Sequence, residues 1–195
     1  MLAATINATS GCDGTAASHS AMLSKAARSQ RGDPSCRNNP LFHNLRQLHR
    51  STVPRISHEI ETLERKVFTS REAFPFNDKP LHQRNMEVIV GLSDQAGNPS
   101  VVAYAVVVKW NHRLLLHKIC VAPAARGQGI GGLLMLKIIE DSKRWSCRAI
   151  DLWVDEANQV ARGLYTKCGF VVQETINDYY SPGKNGVKMV RALQP

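Results

Sequence analysis

The sequence predicts an α/β chain, a mixed β-sheet with flanking helices, and three observations carry that prediction. Val101–Trp110 and Leu114–Val121 are dense in β-branched and other apolar residues and are separated only by Asn111-His112-Arg113, which reads as a hairpin. The run ending at Val121 leads, past Pro123, into a glycine-rich loop, Arg126-Gly127-Gln128-Gly129-Ile130-Gly131-Gly132. Ile130, Leu133, Leu134, Ile138 and Trp145 then recur at the spacing of a helix that buries one face. Ile150–Val154 is a further apolar run beyond that helix, and a strand reached across a helix runs parallel to the one before it.

At 195 residues the chain has the length for one domain with a substantial core. Residues 1–40 are rich in Ser, Ala, Asn, Gly and Arg and lack apolar periodicity. They are expected to be a disordered basic extension, leaving residues 41–195 as the domain. Ser24 to Arg37 has the Arg- and Ser-rich composition of a mitochondrial transit peptide, but no basic residue precedes Lys25, so a dispensable extension is the preferred reading. A cytoplasmic location is expected, with mitochondrial or nuclear as the alternatives.

Within the domain, Leu41–Leu48 alternates weakly and is a candidate first strand. Pro54 suits a helix start, and Ile56, Ile60, Leu63 and Val67 follow at helical spacing. Phe74-Pro75-Phe76 and Pro80 break that pattern and frame a short second helical piece. Met86–Leu92 is the next strand, followed by the turn-rich Asp94–Pro99. Asn158–Cys168 reads as a helix that Gly169 closes. Phe170–Thr175 and Val187–Leu193 make a final antiparallel pair, joined by a loop containing Asp178-Tyr179-Tyr180-Ser181-Pro182-Gly183.

Composition narrows the function classes. No run of about 18 apolar residues is present, so no membrane-spanning helix is expected. The cysteines at 12, 36, 120, 147 and 168 are odd in number and lack C-x-x-C spacing, against zinc ribbons and disulfide frameworks and for a reducing compartment. Cys120 and Cys168 lie in apolar patterns and are expected in the core. Of the formal +9 charge, residues 1–50 supply +4 from six Lys/Arg and two Asp. The remaining +5 favours an anionic cofactor or acidic partners, and no nucleic-acid module accompanies it.

A strand, a glycine loop and a helix in that order make a site for a phosphate-bearing ligand, because the first helical N–H groups lack partners and carry the positive end of the dipole. Gly127, Gly129 and Gly132 fit G-x-G-x-x-G, with Asp151 near the place of a ribose-binding acid. Asp151, however, begins its strand instead of ending it, and too little chain follows for further βαβ units. Read as R-x-x-G-x-G, Arg126–Gly131 resembles the acetyl-CoA loop of the GNAT (GCN5-related) N-acetyltransferase superfamily. Asn158, Ala161, Leu164-Tyr165 and Gly169-Phe170 resemble its second hallmark, in order and at the right interval. The resemblance covers about residues 41–193 and is nearest to the ribosomal-protein and protein N-terminal acetyltransferases.

The resemblance implies the GNAT acyl-CoA N-acyltransferase fold, a splayed central mixed sheet, with acetyl-CoA as cosubstrate. It implies that backbone at Cys120 and Val121 pairs with the pantetheine arm. Arg126, Gly127, Gln128, Gly129, Ile130, Gly131 and Gly132 would hold the pyrophosphate, and Asn158 would bond the arm near its reacting end. Tyr165 would be the general acid. The glutamate that those acetyltransferases carry on the strand before the Asn is Trp153 here, which cannot accept a proton. His117, four residues before Val121, is the substitute base, with an ordinary pKa near 6.5; a core histidine is the alternative. Asp155 and Glu156 read as solvated loop charges. Phe74 and Phe76 on one side and Tyr179 and Tyr180 on the other resemble the walls that receive a peptide. The expected reaction is acetyl transfer to a primary amine, foremost a protein or peptide N-terminal α-amine. The alternatives are a small-molecule amine acceptor or a CoA-binding protein that has lost catalysis. No metal is expected.

Overall fold

The computed structural model describes residues 39–69, 72, 74, 83–95 and 98–194. The N-terminal extension up to residue 38, the short helical piece framed by the prolines, and Phe76 lie outside the described residues. The elements run β1 (Leu41–Asn44), α1 (Val53–Val67), β2 (Met86–Gln95), β3 (Asn98–Trp110), β4 (Arg113–Val121), α2 (Ile130–Arg144), β5 (Ala149–Asp155), α3 (Gln159–Lys167), β6 (Val171–Ser181) and β7 (Lys184–Ala192). One seven-stranded sheet in the order β1-β2-β3-β4-β5-β7-β6 holds them together. Every pairing is antiparallel except β4 with β5.

Each face of the sheet buries its own core. Ile56, Ile60 and Leu63 of α1 pack with Val88, Val90, Tyr104, Val106 and Cys120. On the opposite face, Ile130, Leu134, Met135 and Ile138 of α2 and Ala161 and Tyr165 of α3 pack with Ala105, Leu116, Ile119, Leu152 and Val154. The period-2 alternation of strands and the 3.6-residue spacing of helices thus sort one sequence onto two surfaces. Cys120 and Cys168 are buried and free, as their apolar surroundings predict.

Three boundaries differ from the sequence reading. The first strand stops at Asn44, whose side chain accepts from the Arg46 N–H and starts a 3-10 turn over Leu45–Gln47, so local capping ends the strand early. The Asp94–Pro99 turn is mostly ladder, because Asp94 pairs with Pro99 and Gln95 with Asn98. The last hairpin is longer as well: Tyr179 and Tyr180 belong to β6, and only Pro182-Gly183 turn, with Gly183 at φ 77. The left-handed Asp178 (φ 54) and a register shift between Ile176 and Ser181 carry the extra residues that composition alone reads as loop.

The parallel junction decides where a ligand can enter. β4 and β5 pair only from Arg113↔Ala149 to Leu116↔Leu152. Beyond that point β4 stays paired with β3 as far as Val121, and β5 stays paired with β7 as far as Asp155. The two strands therefore part after Leu116. The splay has a local companion in β4: Val106 faces Lys118 while Val107 faces Leu116, so His117 is the extra residue of a β-bulge at the mouth of the gap.

Candidate active site

The glycine loop lies at the end of the splay. Gly127 and Gly129 hold φ 75 and 78, a conformation that disfavours a side chain. A Cβ at either would meet nothing within 4 Å, so the space beside the loop is open. Gly129 is the N-cap of α2, and the Leu133 N–H donates to its carbonyl at 3.1 Å as the first bond of the helix. The N–H groups of Ile130, Gly131 and Gly132 lie ahead of that ladder, at the positive end of the helix. Open space beside forward-facing amides fits a pyrophosphate such as that of acetyl-CoA.

The other loop residues have different work. A Cβ at Gly131 would come within 3.3 Å of Leu164 and 3.7 Å of Val121, so this glycine lets α2 approach α3 and β4. Arg126 Nε donates to the Val121 carbonyl at 3.2 Å, and Gln128 Nε2 donates to the Ala124 carbonyl at 3.2 Å. The Arg126 side chain thereby ties the loop to the end of β4 and occupies a carbonyl that the sequence reading offers to pantetheine. Asn158 is likewise engaged: its Oδ1 accepts from the Ala161 N–H at 3.1 Å, capping α3.

Two candidate proton-transfer groups are sealed and unpaired. His117 is 5% exposed, neither ring nitrogen has a hydrogen-bond partner, and the edge of the ring meets Phe74 at 5.1 Å between centroids. Burial, with the neighbouring Lys118 charge, pushes its pKa down to about 4. The ordinary value near 6.5 expected from sequence therefore does not apply: His117 is neutral at physiological pH and a weak base. Tyr165 is fully buried on α3 and its hydroxyl also lacks a partner. Burial raises its pKa well above the phenol range, with Tyr180 and Cys168 adding to the effect. Such a hydroxyl stays protonated and keeps its O–H available to donate. The Cys120 thiol, pushed up to about 12 mainly by burial, is no nucleophile.

Trp153 alternates with Leu152 and Val154, which belong to the α2/α3 core, so it faces the side that carries α1. Its indole stacks on Tyr179 at 4.2 Å and 9°, and Tyr179 meets Tyr180 edge-on at 4.9 Å. The Tyr180 hydroxyl is a third buried group without a partner. Phe74 thus lies against β4 and Tyr179 against β5, on the two sides of the gap.

Two features escape the sequence reading. The Tyr179 ring lies on Gly186, where a Cβ would come within 2.6–2.7 Å of its atoms, so the aromatic stack needs this glycine. On α1, Glu64 is buried with Lys118 and Tyr104. The signal for it was present: Glu64 lies four residues after Ile60, on the buried stripe of α1, and Lys118 interrupts the apolar run of β4. Among the described residues no group of three or more His, Cys, Asp or Glu is placed to hold a metal.

A mixed sheet splayed at one parallel junction, with an amide-lined glycine loop at its end, is the acyltransferase fold of the GNAT class. The acetyltransferase (GNAT) family profile matches residues 47–170, and the chain belongs to that family. Its sequence is 34% identical over 76 residues to N-alpha-acetyltransferase 20 of Dictyostelium discoideum, covering 38% of this chain and 44% of that one. The chain spans less than half the length of the curated relatives it matches. The fold is shared with the ribosomal-protein-S18-alanine N-acetyltransferase of Escherichia coli at a TM-score of 0.64 and 18% identity, over 80% of this chain and 94% of that one. The aminoglycoside 6'-N-acetyltransferase of Enterococcus faecium superposes with a TM-score of 0.65 and 13% identity, over 80% and 98%.

Proposed function

We propose that the protein transfers the acetyl group of acetyl-CoA to the α-amine at a protein or peptide N-terminus. The observation that carries this reading is the weakness of the base. The strand position of the expected carboxylate is an indole stacked on Tyr179, and the buried imidazole at the gap has a pKa near 4. Such a site suits an acceptor that reaches it already neutral. At pH 7, deprotonating an α-amine of pKa 7.7–8.0 costs about 1 kcal/mol, against about 4–5 kcal/mol for a lysine amine of pKa near 10.4.

Bound acetyl-CoA supplies the acyl group as a thioester. The amides ahead of Leu133 hold its phosphates, and the gap beyond Leu116 receives its arm. Tyr165 Oη, unpaired and protonated, donates to the departing sulfur. The acceptor nitrogen enters as the free amine between Phe74 and the Tyr179–Tyr180 pair, and the proton it sheds after attack leaves to solvent. Tyr180 Oη is available to a peptide backbone. The likeness to N-alpha-acetyltransferase 20 supports a peptide acceptor.

A second reading, a small amine of low pKa, rests on the same weak base, which suits any acceptor that is largely neutral at pH 7. Competition among short peptides with free N-termini, N-blocked lysine peptides and simple amines decides. The proposal expects the free N-terminal peptides to win, with turnover lost when Tyr179 and Tyr180 are both changed to Phe. Preference for simple amines, or unchanged peptide turnover in the double variant, overturns it. Binding of acetyl-CoA without turnover of any amine returns the protein to a CoA-binding role.

A further inference from the structure

The one charged pair sealed inside the α1-side core among the described residues is Glu64 with Lys118, each 2% exposed. Lys118 Nζ donates to Glu64 Oε2 at 2.9 Å, and Tyr104 donates its hydroxyl to the other carboxylate oxygen. The ammonium also lies 3.7 Å from the centroid of the Phe68 ring. Stability alone is a poor reason for such a pair. Desolvating two charges costs several kcal/mol per ion, and well-packed apolar residues of the same volume often serve as well or better.

What apolar residues could not do is hold backbone. Glu64 Oε2 also accepts the Phe74 N–H at 3.3 Å, and Lys118 Nζ also donates to the Glu72 carbonyl at 2.5 Å. Both backbone groups lie in the chain between α1 and β2. The same lysine follows the bulge residue His117, whose ring meets Phe74. One ion pair thereby fixes both partners of the Phe74–His117 contact, Phe74 through its amide and His117 through its neighbour in the chain.

We propose that Glu64 and Lys118 are positioning residues that set the acceptor wall of the gap by clamping the backbone at Glu72 and at Phe74 onto β4. The proposal rests on the reading of Phe74 as part of that wall. It makes the pair matter to the acceptor and leaves acetyl-CoA, held on the far side by the glycine loop, unaffected.

The test uses two charge-neutral variants, so that no unpaired ion is left buried. In Glu64→Leu/Lys118→Met both backbone holds are lost. In Glu64→Gln/Lys118→Met the amide oxygen still accepts from Phe74 N–H, and only the hold on Glu72 is lost. Acceptor KM is measured beside the acetyl-CoA Kd by calorimetry, using whichever amine the wild type prefers. A preference for simple amines thus overturns the peptide assignment and leaves this test intact. The expected result is a rise of about tenfold or more in acceptor KM for the apolar variant and about threefold for the glutamine variant, with the acetyl-CoA Kd within twofold of wild type. If the apolar variant does not fold, the threefold rise in the glutamine variant decides. Acceptor KM within twofold of wild type in the variants that fold overturns the proposal. So does a parallel rise of acceptor KM and acetyl-CoA Kd, the mark of general loosening.

Discussion

His117→Gln should make the protein markedly less sensitive to mild acid. The folded imidazole has a pKa of about 4 because burial and the Lys118 charge oppose protonation, whereas the unfolded chain takes up the proton near pH 6.5. Between those two values the unfolded state binds more protons than the folded one, so stability falls as pH falls through that window. From pH 7 to pH 5 this single group removes about 2 kcal/mol, approaching about 3 kcal/mol by pH 4. Glutamine cannot titrate, and the other groups shared by both proteins cancel in the comparison. Urea unfolding at pH 7 and pH 5 on both proteins should therefore give a wild-type loss about 2 kcal/mol larger than the variant's. For a domain of this size that corresponds to roughly 4–8 °C in Tm. Equal losses in the two proteins would refute the sealed, neutral imidazole. The same shift moves any His117-dependent acidic limb of the rate profile to near pH 4, away from the neutral value that an exposed histidine would give.

Tyr165→Phe should lower turnover by roughly 10- to 1000-fold while leaving stability unchanged or higher. The hydroxyl has no partner, and an unsatisfied buried polar group costs about 1–3 kcal/mol; a clear loss of stability in urea would identify a structural hydroxyl instead. Gly129→Ala should weaken acetyl-CoA binding by calorimetry, because φ 78 strains any side chain and a methyl group enters open space beside the amides. Gly131→Ala should instead act through the Leu164 contact at 3.3 Å, lowering Tm with a smaller change in acetyl-CoA Kd; the reverse ranking would contradict the division of labour in the loop. Gly186→Ala, whose Cβ would meet Tyr179 at 2.6 Å, should unseat the ring from Trp153 and raise acceptor KM, and an unchanged Trp153 fluorescence spectrum with unchanged KM would sink that expectation.

Much of this architecture was legible because local chemistry and tertiary packing agree. The apolar run to Val121, the glycine loop and the stripe from Ile130 to Ile138 each specify their own element, and their order specifies the crossover. The helix that carries Tyr165, and Gly169 closing it, were legible for the same reason. Composition misread the segment from Ile176 to Ser181 as loop, because Asn, Asp, Ser and a following Pro-Gly favour turns. Pairing with β7, assisted by one left-handed aspartate, overrode that preference. The pKa of His117 was out of reach of sequence, since it depends on the bulge and on Phe74, which comes from a distant connection. Asn158, which the motif assigns to the pantetheine arm, uses its side-chain oxygen to cap a helix. Glu64 shows the opposite failure, a charge in plain view on an apolar stripe whose meaning needed Lys118 from another strand.

The four-residue parallel junction also divides the molecule mechanically. On one side β1 to β4 form an antiparallel panel with α1 on its back, and on the other β5, β7 and β6 form a second. Apart from the four-pair edge ladder of β1 on β2, the strands inside each panel are joined by longer ladders, whereas between the panels only Arg113–Leu116 and Ala149–Leu152 are in register. Beyond this seam the opening angle is held by α2, α3 and side-chain packing, with no strand ladder across the gap. Among the described residues the seam is the place where backbone hydrogen bonds join the two panels, and amide protection across Leu114–Leu116 reports on it.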